Sequence, residues 1–131
     1  MKDDLASLLR IIALQHDFAG VHFNLVPKQA DYPAIGFYEI DDQAERSKDV
    51  NLNGDAVYEI CTFVKEGDIE TDRGPADIAY DVSEAIKVAL NGFLGDEESK
   101  IVEIRWHSSG MEYNEQTELH VRRSDYLIQH K

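Results

Sequence analysis

Near the start of the chain, apolar residues recur at helical spacing: Leu5, Leu8, Leu9 and Ile12, with Ala13 on the same side. Asp3 and Asp4 stand just ahead, where carboxylates meet unpaired amides and the positive end of the helix dipole. The spacing predicts a helix from about Asp3 to His16, closed over Asp17 to Gly20 with Gly20 as the stop. His22–Val26 reads as a short strand ended by Pro27, and Ala34–Ile40 as a second with Pro33 just outside it. Lys28 to Tyr32 forms a polar turn between them.

From Asp41 to Gly54 the chain becomes polar and acidic, a longer connection than ordinary hairpins use. Ala56–Lys65 then alternates. Ala56, Tyr58, Ile60, Thr62 and Val64 share one side, and Val57, Glu59, Cys61, Phe63 and Lys65 the other. Apolar residues on both sides suit a central strand. Glu66-Gly67-Asp68 turns the chain. Gly74-Pro75-Ala76-Asp77 starts a second helix, whose stripe is Ile78, Val82, Ile86 and Leu90, widened by Ala79, Ala85 and Ala89. Asn91-Gly92 ends it, with Phe93 and Leu94 folding back on the stripe.

Two strands complete the pattern. Lys100–His107 alternates Ile101, Glu103 and Arg105 with Val102, Ile104 and Trp106, which places Trp106 in the core. Glu118–Gln129 follows, with Ser108 to Thr117 as the connection. The order is α-β-β-β-α-β-β. The expected fold is a single α+β domain over residues 1–131, a mostly antiparallel twisted sheet with two helices packed against it.

Composition narrows the functions open to this fold. The 131 residues carry 26 Asp+Glu against 13 Lys+Arg, a formal net charge of −13. Such a chain lacks the cationic surplus that grips phosphate backbones, and anionic membranes repel it. No apolar run reaches the roughly 18–20 residues of a membrane helix. Met1-Lys2-Asp3-Asp4 does not read as a signal peptide. The one cysteine, Cys61, excludes an internal disulfide framework.

Standard chemical motifs do not emerge. There is no Gly-rich phosphate loop, no nucleophile elbow and no Cys or His pair at metal spacing. His16, His22, His107, His120 and His130 are scattered over strands and element ends. Cys61, on a central strand without an evident His partner, reads as a buried structural residue. Asp49-Val50-Asn51-Leu52-Asn53-Gly54 begins like a calcium loop, but Ile60 stands where the bidentate acid belongs. An Asn-Gly turn into a strand is the simpler reading. The chain is therefore expected to be no enzyme and to use no cofactor or metal.

Three stretches, taken in order, resemble a known family. They are Val26-Pro27 with Ala30-Asp31-Tyr32-Pro33-Ala34-Ile35; Tyr58–Phe63 with the helix ending Val88-Ala89-Leu90-Asn91-Gly92-Phe93; and Tyr113–Thr117 with Leu119–Ile128, including the pair Arg122-Arg123. This succession resembles the tail-completion (tail terminator) proteins of long-tailed bacteriophages and prophages. The resemblance implies a structural protein that forms a homo-oligomeric ring, commonly a hexamer. Such a ring caps the tail tube, stops its growth and joins the tail to the head connector protein, with DNA passing through unbound. It implies residence in the bacterial cytoplasm during assembly and afterwards in the virion tail.

A ring subunit meets its neighbours through two different patches. The loop residues Asp42, Glu45, Arg46, Lys48, Asp49, Asn51 and Asn53 mix both charges and are candidates for that contact. Arg122 and Arg123 point to opposite faces of the last strand and are candidates for pairing between subunits, beside the plainer reading of a surface pair. Two other functions fit the composition: an acidic inhibitor or nucleic-acid mimic that binds a basic protein, and a small ligand-binding domain without a sequence signature.

Overall fold

A computed structural model of the chain describes residues 2–24, 31–42, 54–65 and 74–131. Helix α1 spans Lys2–Gln15 and is followed by strands β1 (Gly20–Phe23), β2 (Ala34–Asp42) and β3 (Gly54–Lys65). Helix α2 (Pro75–Leu90) leads to β4 (Ile101–Asn114) and β5 (Leu119–His130). The α+β fold is as the sequence predicts, with several changes of detail.

Asp3 and Asp4 occupy the first turn of α1, which buries Leu5, Leu9, Ile12 and Ala13. Its end is not made by Gly20. Asp17 takes a left-handed conformation at φ 56°, which a short polar side chain tolerates, and the Phe18 amide closes on the Ala13 carbonyl at 2.8 Å. Gly20 instead opens β1. In α2, Gly74 is the N-cap and Pro75 supplies a residue whose missing amide hydrogen is no loss there. Ala79, Val82, Ile86 and Leu90 are buried, as the stripe predicts. Phe93 packs back on the core, but Leu94 points outward and is 72% exposed.

The sheet order is β1-β2-β3-β5-β4. β1 runs parallel to β2, and the other pairs are antiparallel, so the sheet is mostly antiparallel as expected. Both helices lie on one sheet face. Tyr58, Tyr126, Phe37, Ile35, Ile60 and Ile128 fill the layer between. On the opposite face Cys61, Leu119 and Val121 form a second, smaller cluster, with Tyr32, Tyr38 and Phe63 partly buried against it.

Strand β4 departs most from expectation. Residues Ser108–Asn114, expected as a connection, continue the strand, paired from Ser108↔Asp125 to Asn114↔Leu119. Register shifts fall between Ile101 and Glu103 and between Trp106 and Ser108. Each inserts one residue, Val102 and His107, and so resets which face its neighbours address. Simple alternation would separate Ile101 from Ile104; the first insertion puts both into the core with no exposure. Trp106 is half-buried against that core.

Candidate assembly surface

Among the loop candidates, Asp42 is the last residue of β2, in register with Ala56. Glu45, Arg46, Lys48, Asp49, Asn51 and Asn53 lie outside the described residues, as do most of the calcium-like stretch and the turn at Glu66.

Arg122 and Arg123 do face opposite sides of β5, because strand residues alternate. Arg122 lies on the helix-covered face, its guanidinium 5.1 Å from the Tyr80 ring centre. That distance allows a cation–π contact. Arg123, on the other face, is held by two acids of its own chain. Its Nη1 donates to Glu59 Oε1 at 2.6 Å and its Nε to Glu112 Oε1 at 2.9 Å. The arginine therefore crosses three strands, from Glu59 on β3 over β5 to Glu112 on β4.

The charges shift accordingly. The hydrogen bond from Arg123 holds the Glu112 carboxyl below the usual carboxylate range. The same bond keeps the guanidinium protonated more firmly than usual. Cys61 sits beneath this pair, fully buried, and donates from Sγ to Glu59 Oε1 at 3.4 Å. Burial, reinforced by the Glu59 charge, pushes its thiol far up, so it is a packed, unreactive thiol at neutral pH. Burial likewise raises Tyr38 to about 12. Among the described residues, no group of His, Cys, Asp and Glu is placed to hold a metal ion.

The two halves of β4 have different outer edges. Residues 91–95 cover the first. The Gly95 amide donates to the Val102 carbonyl at 3.0 Å, Ile104 donates to Phe93 at 3.1 Å, and Gly92 donates back to Ile104 at 2.8 Å. The Asn91 side chain accepts from the Trp106 amide at 2.9 Å. Gly95 is required there, since an added Cβ would stand 1.8 Å from the Ile101 carbonyl oxygen. Beyond Trp106 this cover ends. Sequence reasoning missed that edge because it treated Ser108 to Thr117 as loop.

A hydroxyl chain links the halves across the sheet. Ser109 Oγ lies 2.7 Å from Ser124 Oγ, which lies 3.1 Å from Ser83 Oγ on α2. The Trp106 indole N–H donates to Ser109 Oγ at 2.8 Å, and Lys87 Nζ stands 3.7 Å above the indole ring. A separate open groove of about 550 Å³ lies between α1 and residues 93–101, lined by Leu8, Ile11 and Phe93 and by Asp4, Asp96 and Glu98.

No protein-family model matches the sequence, and no curated protein does. Solved structures do match. One is a chain of the virion of a native gene transfer agent (GTA) particle. The alignment covers 95% of this chain and 89% of that one, with a TM-score of 0.63 and 16% sequence identity. The α-β-β-β-α-β-β fold of this chain is thus structurally similar to that of a phage-like virion protein.

Proposed function

We propose that this chain is a structural component of a phage-like particle, with the role of a tail-completion protein. The observation that carries this reading is the fold likeness to a gene transfer agent virion chain along nearly the whole length of both. It is supported by the ordered succession of three stretches that resemble tail-completion proteins. In this reading copies of the chain form a ring, six in the commonest case, on the end of the tail tube. The ring stops tube growth and receives the head connector protein, and DNA passes through its hole. Assembly takes place in the bacterial cytoplasm and the product stays in the virion tail.

Charge has a place in this role. Six copies carry about −78. Acids facing the hole repel DNA and keep it moving. The loop residues from Asp42 to Asn53 and the pair Arg122 and Arg123 are proposed contacts between neighbouring subunits. For Arg123, the acids of its own chain are then competitors of a neighbour's.

Deletion of the gene in a particle-producing host tests the reading. The expected result is tails of uncontrolled length and heads without tails, restored by the gene in trans. Particles of normal tail length, joined to heads and infectious, would overturn it.

A further inference from the structure

The two edges of the sheet are different surfaces, and the distal half of β4 lies beyond the cover of residues 91–95. Outward-pointing backbone groups follow from the alternation of an antiparallel ladder. Ile104 and Trp106 point their amides outward, to Phe93 and Asn91. With one residue inserted at His107, the outward positions beyond it are Ser109, Met111 and Tyr113, of which the first two lie in the run nearest Trp106. Neither makes a backbone hydrogen bond on that side among the described residues.

Natural edges are usually guarded by lysine, proline or an inward charge. From Trp106 to Met111 this edge carries no charged residue and no proline. The next residue, Glu112, is already bonded to Arg123. The opposite edge of the sheet is β1, and the run Phe18–Asn24 around it is also free of formal charge. On a chain of net charge −13, these are two places where copies can approach without repulsion between like charges.

We propose that the distal edge of β4 pairs with the β1 edge of a second copy of this chain, so that the sheet continues from subunit to subunit. This rests on the ring reading above and names its contact. Ser109 and Met111, the two outward positions in the uncharged run, face a strand of four residues, which offers two. The contact uses different patches on the two copies, so it repeats head to tail and ends only by closure. Closure leaves neither edge bare.

Sedimentation velocity and oxidative cross-linking test this on the full chain. Met111→Pro removes an outward amide hydrogen while sparing the ladder to β5; Met111→Lys guards the edge without touching the backbone. Circular dichroism checks that each variant is folded. The expected result is a closed oligomer for the wild type and at least tenfold weaker association for both variants. For cross-linking, Gly110→Cys is combined in turn with Gly20→Cys and His22→Cys, all on the sheet face away from the helices. An added Cβ at Gly110 meets nothing within 4 Å. At least one of the two combinations should give a ladder beyond dimers under mild oxidation, and the single variants should not. A wild-type ring that survives both Met111 changes, or dimers from Gly110→Cys alone, overturns this contact and leaves the ring reading standing. A wild type that stays monomeric up to millimolar concentration, with no ladder, removes both.

Discussion

The first half of β4, Ile101–Trp106, and the second, Ser108–Asn114, are one strand on one partner, yet they are held by different forces. The first half buries Ile101 and Ile104 completely and has its outer edge covered by residues 91–95. The second half exposes Met111 and Tyr113 and is held mainly by its ladder to β5 and by the Arg123 pairs. Burial makes the first half part of the fold. The second is shaped by the fold but contributes little apolar burial to it, and a strand maintained on those terms is free to serve another surface.

That contrast predicts unequal losses. Ile104→Ala should cost about 2–5 kcal/mol, as truncations in a full core do. Met111→Ala should cost less than about 0.5 kcal/mol, as exposed sites do. Urea unfolding of both variants measures this; equal losses would erase the distinction between the halves. Gly95→Ala should come next, at about 1–3 kcal/mol, the usual cost of forcing extra volume into a filled site. Because the obstacle is the Ile101 carbonyl itself, residues 91–95 must shift off β4. The amides of Ile104 and Trp106 should then exchange with deuterium faster, while those of β5 do not change. Unaltered protection at Ile104 would show that the cover is not what distinguishes the halves.

Another small effect lies in the second half. Glu112 has a depressed carboxyl pKa in the fold, so its contribution is present above the ordinary carboxylate value. It is lost as pH falls through the depressed one. Glu112→Gln should therefore lower stability at neutral pH by less than about 1 kcal/mol, as exposed ion pairs do. The difference from wild type should vanish in strong acid. A difference that persists there would assign the effect to packing rather than to charge.

Much of this was legible in the residues. Both helices and β3 carried strong periodicity, and Tyr58 and, in the α2 stripe, Ala79, Val82, Ile86 and Leu90 are buried as their spacing requires, while Ile78 and Ala85 are partly buried and Ala89 is exposed. The distal half of β4 was not legible, because Ser-Ser-Gly-Met-Glu-Tyr-Asn has the composition of a loop. Its strand character comes from the hairpin with β5, joined by residues 115–118, and composition alone does not show that pairing. The parallel pairing of β1 was hidden for a similar reason: a polar connection does not encode direction. The insertions at Val102 and His107 broke the two-residue period, so alternation assigned Val102 to the side of Ile104 when Ile101 belongs there. Of the assembly candidates, the opposite orientation of Arg122 and Arg123 could be read directly. The carboxylates that hold Arg123 could not, since Glu59 and Glu112 come from two other strands.

Trp106 stands where the two halves of β4 meet, and it is the only tryptophan in the chain. Its indole lies under a lysine ammonium and donates to Ser109, the first outward residue of the uncovered half. Any molecule that docks on that half displaces water within a few bonds of the ring. The protein thus carries its own optical reporter: emission colour and quenching by iodide would follow the joining of subunits in real time, without a dye.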